Sequence, residues 1–283
     1  MAEPGFIAAA LKWVDLRPDV DPLAGTVRHD SRTAGFSPAD AAALEWALRL
    51  GEAWQLPVTA ITAGPPGVSG SSGAQAVLRD AAAFGPRRLV LVTADGDAPS
   101  EAIAGALAPL LDGATVVCCG DYSADRGSGS VPAFLAHQLK AAQALGLTGL
   151  TPGERGCLAA QRRLDGGRRE HLRVTVPAVI SVEPGAARLR RAPLAGLLAA
   201  QQAAIEVADG AVTHRHRVQV MRTAPYRPRP KMLAPPRDPL PRARLLALTG
   251  ALTERTPPRV VRAPCDEAAD ELVGYLKDRG YLT

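Results

Sequence analysis

Aromatic residues make up only 4% of the 283-residue chain. A core short of large rings must be filled by Ala, Leu and Val, which suits helices packed tightly on a sheet. Cysteine is also sparse. Cys118, Cys119, Cys157 and Cys265 show neither Cys-x-x-Cys spacing nor a secreted disulfide pattern, and are expected as reduced, buried thiols. The apolar segment from Phe6 to Val14 is interrupted by Lys12, lacks a basic lead-in, and falls short of the about 20 residues a membrane span needs. A soluble, cytoplasmic protein is expected.

Several site signatures are missing. No GxxxxGK[ST] phosphate loop occurs. "GSGSVP" opens like a dinucleotide fingerprint but has Pro132 where the third Gly belongs, and the first βα turn has no glycines, which argues against a nicotinamide site. There is no nucleophile elbow, and the five histidines are scattered. "THRHR" places His214 and His216 two apart, a metal pair only on a strand and with further ligands, so no metal is expected. Nothing forms a self-contained catalytic site, which points to binding or carrying.

The charge is unevenly placed. Of the formal net +5, residues 214 to 244 hold nine Lys/Arg against Asp238 alone, leaving 24 basic and 27 acidic residues elsewhere. The body is mildly acidic and the excess lies in one arm. That arm also carries seven prolines, so an extended path rather than a helix or central strand is expected there. Aromatic interleaving is limited to Tyr226, so a partner subunit is a better match than nucleic acid, and no nucleic acid is expected.

Along the body, apolar runs alternate with helical periodicity. "FIAAALKWV" (6 to 14) reads as a buried first strand, followed by an irregular excursion through Pro18, Pro22 and Gly25. Ser37 is placed to cap a helix with Pro38 at its first position. Strands are expected at 57 to 64, 88 to 93 and 114 to 120, with helices at 74 to 84, 100 to 111 and 131 to 145. Continuous apolar strands joined by helices imply an α/β fold, a parallel sheet with helices on both faces. Ligands of such sheets sit at the carboxyl ends of the strands, here the loops after Lys12, Ala63, Thr93 and Cys119. The last, "GDYSADRGSGS" (120 to 130), is richest in backbone donors.

After these units comes "RRLDGGRREHLRVTVPAVISVEPG" (162 to 185), an Asp-Gly-Gly turn between two strands followed by a further apolar strand. It resembles the signature of the electron transfer flavoprotein beta subunit family: Arg162, then Asp165, Gly166 and Gly167, Glu170, Leu172, Pro177, and the aliphatics Val179 and Ile180. "ALKWVD", "SPADAAALEWALRL", "ITAGP", "APLAGLLAAQQAAIEV" and the C-terminal "TERTPPRVVRAPCDEAADELVGYLKDRG" are similar to further segments of that family.

The resemblance implies a nucleotide-binding, adenine nucleotide alpha hydrolase-like fold over residues 1 to 210. Residues 211 to 283 would be an arm and terminal helix packing on a partner. It implies an electron carrier rather than a catalyst, pairing with an alpha subunit that holds most of the FAD. A donor dehydrogenase and a membrane acceptor oxidoreductase would be its redox partners. AMP or a second FAD would lie in the beta chain, against Ala10, Ser37, Pro38, Ala60, Ala63, Gly120, Asp121, Tyr122, Asp125, Gly127 and Ser128. Its phosphate would find N–H donors at the helix start and in the loop.

Leu194, with Arg190 and Arg191 beside it, would dock the dehydrogenase, or else Leu194 is simply the first core residue of the helix it opens. The terminal helix presents Leu272, Val273 and Leu276 on one side. An adenine-nucleotide-binding stress or regulatory protein of similar fold stays open as the alternative.

Overall fold

The computed structural model describes residues 5–65, 73–95, 98–154, 156–210, 221–222, 224, 236–249 and 260–282. The chain divides into two compact units, Met1–Tyr226 and Arg227–Thr283. The first is built on a nine-stranded sheet. Its centre is parallel: β1 (Phe6–Ala10) lies between β6 (Val58–Gly64) and β8 (Ala114–Gly120). β7 (Arg88–Thr93) and β13 (Glu206–Asp209) extend the sheet beyond β6. β12 (Ala178–Val182) adds to the other side, parallel to β8.

β9 (Ala142–Pro152) lies parallel to β12, and beyond it the sheet turns antiparallel through β10 (Cys157–Arg163) and β11 (Arg169–Thr175). β11 and β13 are the two edges.

The central strands are buried because both faces are covered. One face carries α1 (Pro38–Trp54) and α2 (Gly73–Ala82), whose Leu44, Leu50, Val77 and Leu78 pack on Ile7, Val116 and Ile180. The other carries α3 (Ser100–Leu111) and α4 (Val131–Gln138), with Leu107, Leu111 and Leu135 on Ile61, Val117 and Val179. Much of this filling is Ala, Leu and Val, as a chain with few aromatics requires. The two tryptophans of α1 satisfy their ring N–H groups on carbonyls, Trp46 on Ala186 (3.3 Å) and Trp54 on Gly153 (3.1 Å).

Three expectations are corrected. The run from residue 6 to 14 is not one strand. After Leu11, whose N–H still reaches Ile61 O at 2.8 Å, the chain leaves the main sheet, and β2 (Trp13–Asp15) pairs antiparallel with β5 (Ala34–Phe36). A small hairpin, β3 (Asp19–Val20) with β4 (Val27–Arg28), lies between them.

The helix expected over 131 to 145 stops at Gln138, and residues 142 to 152 are strand β9. "AQALGLTGL" holds good helix formers, but Gly146 and Gly149 weaken that preference, and the slot between β12 and β10 offers ladder bonds on both sides.

The arm expected to be extended over 214 to 244 ends in helix: α6 (Pro241–Thr249) begins with Pro241, tolerated in a first turn, ahead of Arg, Ala and Leu. Most of that arm, with His214 and His216, lies outside the described residues.

The second unit also holds α7 (Cys265–Asp278), acidic in its first turn at Asp266 and Glu267, basic at Lys277, and stopped before Gly280 at φ +72°. No side chain of α6 or α7 is buried, and Leu245, Leu248, Leu272 and Tyr275 are exposed. All four cysteines are free, as expected, but only Cys118 and Cys119 are buried, Cys157 being half-buried and Cys265 exposed. Among the described residues no helix is long and apolar enough to cross a membrane.

Candidate functional site

β1 is the point where the sheet reverses its order. The chain runs from β1 outward through β6 and β7, then returns to β8 on the opposite side. Loops leave the carboxyl ends of β1 and β8 toward opposite faces of the sheet, the position at which folds of this kind form a ligand crevice. Ala10 ends β1 and faces Cys119 and Ile61, Gly120 ends β8, and Ala63 lies near the end of β6, so these positions converge. Ala60 does not reach the mouth: it pairs with Ala9 inside the sheet and is fully buried.

Ser37 and Pro38 open α1 over this crevice. Ser37 Oγ accepts from the Asp40 N–H (3.1 Å) and donates to the Asp40 carboxylate (2.8 Å), a reciprocal cap at Ser-x-x-Asp spacing. Asp40 does more than cap. Its carboxylate also accepts the backbone N–H groups of Ser37, Lys12 and Gly120, tying together the ends of α1, β1 and β8. Burial raises this carboxyl to about 6 despite those hydrogen bonds. A Cβ on Gly120 would lie 3.0 Å from both Ala39 Cβ and Asp40 Oδ1, so only Gly lets the end of β8 approach this closely.

The loop from 120 to 130 closes the other side. Lys12 Nζ reaches both oxygens of Asp125 at 2.5 and 2.6 Å. Burial pushes Asp125 up, and the hydrogen bond and charge of Lys12 outweigh it, so its carboxyl is held low. Asp121 donates its N–H to Val182 O, and Gly127 donates to Ser123 O at 2.8 Å. Burial and then the charge of Glu183 raise the Asp121 carboxyl, whose Oδ1 is buried without a hydrogen-bond partner among the described residues. Tyr122 is exposed. Ser128 Oγ lies 3.5 Å from Ser100 Oγ, at the starts of α3 and α4, neither of which has a side-chain cap.

The donors at the start of α1 are therefore taken internally. A phosphate expected at Ser37 and Pro38 would meet the buried Asp40 carboxylate, which already accepts the Ser37 hydroxyl. The start of α4, by contrast, has no side-chain cap at Ser130. Among the described residues no group of His, Cys, Asp and Glu could hold a metal ion. A shallow hollow lined by Ala133, His137, Lys140 and Gln143 lies toward the opposite end of α4, away from the crevice.

The hairpin residues sit elsewhere. Arg162 and Glu170 are cross-strand partners and form an ion pair. Asp165, Gly166 and Gly167 make the turn, with φ +70° and +75° at the two glycines. Pro177 separates β11 from β12. These residues shape the sheet extension and carry no group toward the crevice.

Downstream, the segment 183 to 193 is strapped to α1. Arg190 donates its N–H (3.1 Å), Nε (2.9 Å) and Nη2 (3.2 Å) to Glu45, and its Nη1 to Glu52. Burial pushes Glu45 up, and hydrogen bonds from Arg190 and Arg49 more than reverse this, so its carboxyl is lowered. Arg190 thus points inward, while Arg188 and Arg191 are exposed.

α5 (Leu194–Gln201) follows, lying on α2 through Gly196 and burying only Ala200. Leu194, Leu197 and Leu198 are 72%, 49% and 59% exposed, a three-leucine face at i, i+3, i+4 spacing. Leu194 is therefore not a core residue of its helix.

Asp40, Lys12 and Glu45 have structural or electrostatic roles that reading the sequence missed. The Ser-x-x-Asp spacing signals the cap at Asp40, but nothing local signals its bonds to Lys12 and Gly120.

No curated protein matches the sequence. Residues 25–213, which span α1, the loop after β8, the hairpin and α5, match the electron transfer flavoprotein domain. With more than half of the chain matched, and an α/β sheet whose hairpin and most of whose strands lie within the match, this protein belongs to the electron transfer flavoprotein family, whose members are electron carriers rather than catalysts in the usual sense.

Proposed function

We propose that the chain is the beta subunit of a heterodimeric electron transfer flavoprotein, working in the cytoplasm. It would pass electrons from a dehydrogenase, through FAD held mostly by an alpha subunit, to a membrane oxidoreductase or the quinone pool. The observation that carries this is the family match over 25–213, which takes in α1, the loop after β8 and the hairpin whose residues resemble the beta-subunit signature. When bound, the flavin supplies the electron storage that this chain's own side chains lack.

The residues supply binding and presentation. The crevice between β1 and β8 would hold AMP or a second FAD, with the uncapped backbone of Ser128 to Val131 toward the phosphate. Leu194, Leu197 and Leu198 offer an exposed apolar anchor, and Arg188 and Arg191 beside it favour a pocket with an acidic rim on the dehydrogenase. Arg190 holds that anchor in place rather than touching the partner.

Coexpression with the alpha subunit tests the reading. The expected product is a stable one-to-one yellow complex, while the chain alone takes up little flavin. A colourless complex, or two subunits that do not associate, would refute it. Nucleotide released on denaturing the complex identifies what the crevice holds.

A further inference from the structure

We infer that Glu45 is a positioning residue for donor docking: from its buried place on α1 it fixes the backbone that leads into α5, and so sets where the three-leucine face is presented. That the leucines dock the dehydrogenase rests on the function proposed above; the hold of Glu45 on that backbone does not.

The segment before α5 has little else to hold it. Residues 187 to 193 belong to no helix or strand. Among the described residues, the backbone of 188 to 192 makes one hydrogen bond, from the Arg190 N–H to Glu45 Oε2 at 3.1 Å. Leu189 packs against the core, and just upstream the Trp46 ring N–H holds Ala186 O at 3.3 Å. Glu45 and Trp46 are consecutive on α1, so one helix grips the segment at two adjoining points.

Downstream, α5 does not fix Leu194 by itself. It has no side-chain cap, buries only Ala200, and meets α2 at Gly196. Glu45 is well braced by comparison. Its side chain is 4% exposed, Arg49 lies 2.7 Å from it, and the Arg49 guanidinium rests on the Trp46 ring at 5.0 Å. Releasing Arg190 would leave that buried charge undercompensated. A docking face already held in place loses less conformational freedom when a partner binds, and the difference appears as affinity.

A double-mutant cycle in the coexpressed complex is the test. Flavin reduction by the donor dehydrogenase that serves the wild-type complex is followed at varied complex concentration. Glu45→Ala is expected to raise the KM for the complex about tenfold with kcat within about twofold, the pattern of lost binding rather than lost chemistry. Glu45→Gln, which keeps an acceptor for the Arg190 N–H, should raise it only about threefold. In a Leu194→Asp background either Glu45 variant should change KM by less than about twofold, because both positions act through one contact. The Arg190 amide of the full-length chain, measured without any partner, should exchange at least about tenfold faster in Glu45→Ala.

A lower Tm with unchanged KM, an equal rise in KM with and without Leu194, or an Arg190 amide exchanging at the wild-type rate overturns the inference and leaves Glu45 a structural residue. If Glu45→Ala does not fold, Glu45→Gln carries the cycle, and an unchanged KM there overturns it equally. Unchanged reduction of Leu194→Asp defeats the docking reading instead, and the donor role of Glu45 with it.

Discussion

Arg190→Met keeps the apolar stem of the side chain and removes the guanidinium that straps residues 183 to 193 to α1. The cost can be worked from its two partners. Glu52 is 63% exposed, so that half of the clamp is worth little. Glu45 is buried at 4%, and stripping a partner from a buried charge costs about 3–5 kcal/mol. Two features reduce this. Arg49 stays 2.7 Å from Glu45, and the Arg190 side chain is itself 34% exposed, so the surviving partner and solvent screening bring the loss to about 2 kcal/mol.

For a unit of this size that is a fall of about 4–8 °C in Tm. Thermal unfolding gives the first number, and amide exchange over residues 184 to 201 the second, expected to be about tenfold faster in the variant. Glu52→Gln is the control, with a change below about 1 °C.

The pH dependence has a definite sign. Because the Glu45 carboxyl is lowered from 4.5, the clamp contributes fully above that pH and loses its contribution as pH falls through the folded value. The gap between wild type and Arg190→Met should therefore close on acidification. An Arg190→Met protein that melts within about 1 °C of wild type with unchanged exchange, or a Glu52→Gln protein that loses as much, would refute this account of the clamp.

Further outcomes are expected elsewhere. Asp40 is raised from 3.8 to about 6, so over that window the folded state keeps a proton the unfolded chain releases, and stability falls as pH rises, by about 3 kcal/mol in all. Asp40→Asn should remove this slope from a plot of Tm against pH. Lys12→Met frees Asp125, and because the pair is partly exposed the stability change should stay below about 1 kcal/mol while amides of residues 120 to 130 exchange faster. Gly196→Ala would drive a Cβ into the Ala83 carbonyl, cost about 1–3 kcal/mol, and lift α5 from α2, read as lost exchange protection in α5. Leu194→Asp should leave flavin content of the complex unchanged and slow its reduction by the donor dehydrogenase about thirtyfold, the loss of about 2 kcal/mol expected for an apolar anchor.

Much of the fold was legible along the chain. β7, α3 and β8 fall on the residues their patterns indicate, and α1 begins where Ser37 and Pro38 place it. β9 was not legible, because its residues favour helix and become strand only between β12 and β10. The site divides in the same way. The Gly- and Ser-rich loop after β8 and the Asp-Gly-Gly turn announce themselves by composition. The ion pair from Lys12 to Asp125 joins residues 113 apart and leaves no local trace.

By itself the sequence determined the features set by short-range forces. Ser37 meets the free N–H groups of the next turn, Gly166 and Gly167 accept the left-handed backbone of their turn, and β-branched runs prefer extended strands. Only the tertiary structure decided the roles of charge and exposure. Arg190 turns inward because a buried Glu45 must be compensated, Leu194 stays outside because α5 rests on α2 through Gly196 and Ala200 instead, and Asp40 fills the switch point because β1 and β8 bring their N–H groups to it. Burial is a property of the assembled layers, so the partners that settle each charge are brought together by the fold and are not neighbours in the chain.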